Sequence, residues 1–352
     1  MPIFRRRKSN PSSRRSRPTE FSLSAEWQRW IAENLLRGVD PNVLYSTLVD
    51  RGLDPVITKR EINRIAGSPI LDVVREQNRK AQRLALVAQM RRELLARSSA
   101  PKEIERREGL SGDEFFERYY CPGVPVIITD IVRHWPAYQH WTPEFFKHKF
   151  GNVTVRFTAN RNDDPLYDQN TELHTIGATM AEFMDRITSM GESNDVYMVA
   201  NNRNLDEGPL RDLLNDIRIP TQYLEDNERN LICLWVGPAG TITPLHHDTT
   251  NIFFCQIVGR KHFRLASPFE TALLEDLDGV YSPMDLERLD VERFPALRDV
   301  LVKEAILEPG EAIFLPVGMF HQVKALDVSI SLSFVNFLRP NRFEWYMPGN
   351  IA

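Results

Sequence analysis

The residues with the clearest chemical reach are His246 and Asp248, two places apart in TITPLHHDTTNIFFCQIVGRKHFRL (241–265). If residues 245–249 are extended, both side chains point to one face, because strand side chains alternate with period two. His247 is out of phase and should face outward. Two ligands on one face need one more, and His321 in LPVGMFHQV offers it. Two neutral imidazoles and one carboxylate suit Fe(II) and leave coordination positions open for substrate and dioxygen. On this reading His246, Asp248 and His321 are at once the metal ligands and the catalytic residues. An HxD triplet also occurs by chance on protein surfaces, so the partners decide the reading.

The first partner is Lys261, thirteen residues after Asp248 and just past Gly259-Arg260. A dianionic co-substrate needs a fixed cation at its far end, and a lysine ammonium serves as a point charge for a carboxylate. Arg260 and Arg264 nearby give the rival reading of a cationic surface hairpin. Thr243, just before the HxD pair, and Tyr197, in DVYMVANN, can each donate a hydroxyl to the same carboxylate. Asn251 and Asn336 are amides on strands near the pocket, suited to the inner carboxylate or to a substrate amide. Ser329, Ser331 and Ser333 alternate with Val328, Ile330, Leu332 and Phe334. One of these two faces lines the pocket, and the pattern leaves open which.

These residues need strands to hold them. Short β-type runs begin at Val124–Thr129, 153–157 and 196–200, with helical stretches at 111–119, 142–149 and 179–189 between them. They then crowd together at 231–236, 243–248, 252–258, 262–265, 312–315, 321–324 and 328–337, punctuated by Gly and Pro. Such a run reads as a β-sandwich or barrel. Residues 24–97 read as helical throughout, with caps at Ser24, Asp40 and Asp54 and breaks at Gly38, Gly52 and Gly67. The last of the four helices, from about Pro69 to Arg97, carries Ile70, Val74, Ala81, Leu84, Ala88 and Leu95 in a three/four alternation that suits packing or a homodimer contact. The helix-turn-helix look of residues 24–66 lacks a sustained basic face, since the third helix has only Lys59, Arg60 and Arg64. The class is therefore α+β. The organisation is a basic arm over residues 1–22, a helical region over 23–100 with a linker at Ser98–Pro101, and a β-rich domain over 101–345.

Composition narrows the function classes. The chain has 352 residues and a net charge of −4, so no global field points to nucleic acid. Residues 1–20 are an exception, with seven Arg and Lys against one acid, Glu20. That arm suits a solvated tail, or an electrostatic contact with RNA, the ribosome or an acidic partner. Three scattered cysteines, Cys121, Cys233 and Cys255, argue against a disulfide scaffold or a structural zinc site and fit a reducing, cytoplasmic setting. No apolar run reaches membrane-spanning length, and no secretory signal follows the basic start.

Two stretches, TPLHHDTTNIFFCQIVGRKHFRL and PGEAIFLPVGMFHQVKALDVSISLSF, resemble the cupin-like JmjC-domain oxygenases. So do RREGLSGDEFFERYYCPGVPVIITDIVRHWPA and the lead-in LWVGPAGT at 234–241; the resemblance covers about 104–340 and leaves out residues 1–100. It implies a double-stranded β-helix, or jelly roll, with flanking helices, Fe(II), and 2-oxoglutarate as co-substrate. By position it implies His246, Asp248 and His321 as iron ligands, and Lys261, Thr243 and Tyr197 around the far carboxylate of 2-oxoglutarate. Relatives often carry Asn four places after the Asp, where this chain has Ile252. The implied activity is hydroxylation of a protein or peptide side chain. A tRNA or RNA-associated target, a demethylase and a non-enzymatic cupin binding module are the alternatives.

Overall fold

A computed structural model describes residues 22–97, 103–206, 208–226, 232–274, 277–341 and 343. The chain falls into two compact units, Met1–Val87 and Ala88–Ala352. Most of the expected basic arm and the whole expected linker at Ser98–Pro101 lie outside the described residues. The division between units falls instead within the fourth helix. Among the described residues no helix is long and apolar enough to cross a membrane.

The first unit is built from α1 (Ala25–Leu36), α2 (Pro41–Asp50), α3 (Pro55–Ala66) and the start of α4 (Pro69–Arg97). Asp40 and Asp54 cap α2 and α3, each followed by a proline whose missing N–H costs nothing at the first helical position. Ile31, Leu35, Leu44, Leu48, Ile62, Ile65 and Leu71 form its core. The expected stripe on α4 is not packed in this way: Ile70 and Leu84 are 75% and 72% exposed, and the helix's one buried residue is Leu71.

Among its described residues the second unit carries twelve strands. They are β1 (Glu105–Arg107), β2 (Val126–Ile128), β3 (Thr154–Thr158), β4 (Thr175–Thr179), β5 (Ile232–Gly237), β6 (Ile242–His246), β7 (Ile252–Val258), β8 (Lys261–Ala266), β9 (Val302–Leu307), β10 (Ala312–Leu315), β11 (Phe320–Ala325) and β12 (Ser329–Phe334). A six-stranded sheet runs β1-β2-β10-β7-β12-β5 and a four-stranded sheet runs β6-β11-β8-β9, while β3 and β4 make a separate ribbon. All pairings are antiparallel except β1 with β2. The two larger sheets face each other across a core of Ile127, Phe254, Ile313 and Leu315 against Phe263, Leu265, Leu307 and Val323. This is the jelly roll expected from the sequence.

The outer face of the six-stranded sheet is buried as well. Ile330, Leu332 and Phe334 pack there with Phe115, Trp135, Phe146 and Phe183 from the flanking helices. Burial on both faces explains why β7, β10 and β12 read as nearly continuous apolar runs. A long segment over residues 267–300 covers the outer face of the four-stranded sheet, where Leu273, Met284, Leu286 and Leu297 meet Leu245 and Phe320. Between β7 and β8 the chain turns at Gly259, with φ +70°; a Cβ there would sit 2.2 Å from the Val328 carbonyl oxygen, so only glycine fits.

Candidate active site

The two histidines face each other because of strand register. β6 and β11 are adjacent and antiparallel, and His246 and His321 are direct register partners. Their ring centroids lie 4.1 Å apart. Asp248 is not on a strand, since β6 ends at His246. It nevertheless reaches the same point, with one oxygen 3.4 Å from His321 Nε2 and the other 4.0 Å from His246 Nε2. Gly318 N–H donates to the Asp248 carbonyl at 2.9 Å and fixes that turn. The ligand atoms of all three lie within 4.8 Å of one another.

The imidazoles are oriented for a metal. Nδ1 of His246 is 2.8 Å from the Pro244 carbonyl oxygen, and Nδ1 of His321 is 3.0 Å from that of Met319. A proton on each Nδ1 serves these bonds and leaves each Nε2 lone pair aimed at the third ligand. Burial, then the neighbouring His246, push the His321 imidazole down to about 4, so it is neutral at physiological pH. His247 does not join them, as strand phase required. It does not face solvent, however: it is 2% exposed and packs edge-on to Phe320, because the 267–300 segment roofs that face.

The group opens on a cavity of about 240 Å³. Tyr197, Thr243 and Lys261 line it, with walls that include Trp235, Ile252, Phe254 and Phe263. Lys261 points inward from β8, in phase with Phe263 and Leu265. Its ammonium donates to the Tyr197 hydroxyl at 2.8 Å and lies 5.0 Å from the Phe254 ring centroid. The residue is 1% exposed, and no ion pair to it is present among the described residues. Burial alone pulls its pKa down to about 7. Burial also raises the Tyr197 phenol, so it stays protonated and can donate. A buried ammonium with two hydroxyls and no anion of its own fits a carboxylate.

Other expected residues are placed elsewhere. Asn251 is not among the cavity's lining residues, and its amide is used within the fold. Its oxygen accepts from Val317 N–H at 2.9 Å and its nitrogen donates to Asn341 Oδ1 at 2.9 Å. Asn336 is not a lining residue either; its nitrogen donates to the Glu225 carbonyl. Ile252 does line the cavity. The serine face of β12 is the inner one, with Ser333 in the cavity wall and accepting from Trp235 Nε1 at 2.9 Å.

Two lining residues carried no signal in sequence. Tyr281 comes from the 267–300 segment, bridges to His246 by backbone pairing, and stacks on its ring at 5.5 Å. Asp168 places a carboxylate in the wall, paired to the fully buried Arg161 at 3.1 Å. Neither sits in a run of recognisable periodicity; Tyr281 arrives through its pairing with His246, 35 positions earlier, and Asp168 through the local pair with Arg161.

A jelly roll whose adjacent strands offer two imidazoles, closed by a carboxylate beside an apolar-walled cavity, defines a metal-binding cupin. A family model described as a cupin-like domain matches residues 112–337, and the chain belongs to this family, in its JmjC branch. Over 253 residues it is 33% identical to a protein named Lysine-specific demethylase JMJ30 from Arabidopsis thaliana, covering 68% of this chain and 56% of that one. It is 33% identical over 230 residues to Lysine-specific demethylase 8 of Xenopus tropicalis, covering 63% and 50%. A human protein named Bifunctional peptidase and (3S)-lysyl hydroxylase JMJD7 is 23% identical over 252 residues, covering 62% and 79%. The chain thus spans about half the length of the first two relatives.

Proposed function

We propose that this protein is an Fe(II)- and 2-oxoglutarate-dependent dioxygenase that oxidises a C–H bond on a protein or peptide side chain. The observation that carries this reading is one cavity shared by the His246, Asp248 and His321 group and the buried ammonium of Lys261, which has no ion-pair partner among the described residues. The donor set suits Fe(II), and the three ligands leave positions open toward the cavity. Lys261, with the Tyr197 and Thr243 hydroxyls, binds the far carboxylate of 2-oxoglutarate. Phe254, Phe263, Ile252 and Trp235 keep water from the space between. Bound iron with 2-oxoglutarate and dioxygen supplies the oxidant, with succinate and carbon dioxide as co-products.

The relatives' names support a lysine-type side chain as the substrate. Asp168 suits that choice, since it gives the wall a carboxylate for a cationic or N–H-donating head group. Tyr281, stacked on His246, sits where an incoming side chain would pass. The two outcomes those names span, an added oxygen or a lost methyl group, share the same first oxidation.

The test is anaerobic titration of the full-length protein with Fe(II) and 2-oxoglutarate. A visible metal-to-ligand charge-transfer band is expected. His246→Ala should abolish it, and Lys261→Ala should shift its half-saturation to higher 2-oxoglutarate. A folded wild-type protein without the band would overturn the reading. Peptides bearing unmodified or methylated lysine, scored by mass for oxygen gain or methyl loss, then identify the outcome.

A further inference from the structure

We infer that Arg161 is a positioning residue for the co-substrate's far carboxylate, holding the segments that carry the Tyr197 and Thr243 hydroxyls. The inference rests on the co-substrate site proposed above and concerns a residue outside it. Arg161 is fully buried, and each nitrogen of its fork has a partner. Nε donates to the Asn194 carbonyl at 3.0 Å. Nη1 donates to Thr158 Oγ1 at 3.2 Å and to Asp168 Oδ1 at 3.1 Å. Nη2 donates to the Ile242 carbonyl at 2.7 Å and to Asn194 Oδ1 at 3.4 Å.

Those partners converge on two segments. Ile242 is the residue before Thr243, and its N–H donates to Asn194 Oδ1 at 2.8 Å. Arg161 and Asn194 therefore grip the carbonyl and the amide of Ile242 together. Thr158, the other partner, pairs with the Tyr197 backbone in both directions at 2.8 and 2.9 Å, and its hydroxyl donates to the Tyr197 carbonyl at 2.8 Å. The guanidinium also lies 5.3 Å from the centroid of the Tyr197 ring and 4.1 Å from that of Tyr167. Tyr167 adds its own hydroxyl to the Ile242 carbonyl at 3.3 Å.

A buried ion pair is a weak source of stability, because desolvation offsets the attraction. Its use here is geometric. A planar fork fixes several acceptors at once, which a lysine point charge does not. The Arg161 bonds to Asn194 and to the Ile242 carbonyl fall beside Tyr197 and Thr243, and Thr158 pairs with the Tyr197 backbone; the imidazoles of His246 and His321 are bonded directly to the Pro244 and Met319 carbonyls. Asp168 balances the charge, so the effect of Arg161 on the co-substrate runs through position.

The experiment compares two ligands by calorimetry on the full-length protein loaded with Mn(II). 2-Oxoglutarate carries the far carboxylate; 2-oxobutyrate has the same metal-facing end without it. With Arg161→Gln, 2-oxoglutarate should bind about tenfold more weakly while 2-oxobutyrate stays within about twofold, the loss of one charge-assisted contact's worth of affinity. Arg161→Lys should fall between. A merely structural role would weaken both ligands alike, leave their ratio unchanged, and overturn the inference. If Arg161→Gln does not fold, Tyr167→Phe removes only the second donor to Ile242 and should narrow the ratio less; an unchanged ratio there is equally fatal. A wild-type protein that binds neither acid refutes the co-substrate site and this inference together. Wild-type preference for 2-oxoglutarate that survives in both Arg161 variants refutes this inference alone.

Discussion

Lys261 is a cation held where water cannot reach it, with a phenol for company. Its protonation therefore depends on what else enters the cavity. In the free protein its pKa is about 7, against 10.5 for an ordinary lysine. A carboxylate stabilises the charged form, so binding a dianion takes up a proton wherever the free protein holds Lys261 neutral. The affinity for 2-oxoglutarate should be flat below about pH 7 and fall as pH rises above it, by up to about tenfold per unit. Folding without ligand runs the other way. The lysine is more readily protonated when unfolded, so the free protein loses stability as pH falls from about 10.5 to 7, and no further below that. Calorimetry across pH 6 to 9 checks the first statement; an affinity that rises with pH would contradict it. At this scale the gathering of His246, Asp248, His321 and Lys261 around one cavity was legible from residue type and spacing, although Asp248 is carried by a turn and not by the strand. Arg161 was not, since its bonds to Asn194 and Ile242 lie 33 and 81 positions away, and Asp168 was not, since it takes its place through Arg161 seven positions earlier.

At the scale of elements, β5 is held tight against the site. Gly237 ends β5, and a Cβ there would come within 2.7 Å of the Tyr197 ring and 2.9 Å of Thr241 Cγ2. Gly237→Ala should displace the Tyr197 ring. We expect a several-fold weaker 2-oxoglutarate constant with iron binding kept, since none of the three proposed iron ligands is among the atoms nearest that Cβ. Equal loss of iron and 2-oxoglutarate would instead mean general damage to the sheet. The strands that escaped sequence reading are instructive too. β9 is the edge of the four-stranded sheet, and Lys303 and Glu304 lie on it where a core strand would be apolar. Edge strands tolerate charge, so the apolar signal fades there. The extended register assumed through residue 249 also failed at its end. β6 stops at His246, and Asp248 is delivered by a turn fastened to Gly318. The conclusion about which face it serves survived only because the turn keeps its carboxylate near both imidazoles.

At the scale of the whole molecule, residues 1–97 hold 20 of the 44 Lys and Arg and 10 of the 48 Asp and Glu, so they carry +10 while the remainder carries −14. The cavity's lining residues all belong to the second unit. A chain beginning at Ala88 should keep the charge-transfer band and the wild-type 2-oxoglutarate constant. Loss of both in a folded truncated protein would show that the first unit contributes to the site. The jelly roll was legible because its strands are buried on both faces and broken by Gly and Pro. The purpose of α4's exposed apolar residues was not, because a three/four alternation says only that a face is suited to packing, and Ile70 and Leu84 remain open.

The register pairing of His246 with His321 has one more consequence. The two residues are 75 positions apart, and a slip of β11 by one place would set Phe320 or Gln322 opposite His246 instead. The proposed metal site therefore cannot assemble before this long-range pairing is made correctly. On the proposed function, a chain without this pairing would lack the ligand set, and metal capture would report that β6 and β11 have paired in the right frame. In a protein whose proposed reagent damages whatever lies near it, strand order works as a safety catch.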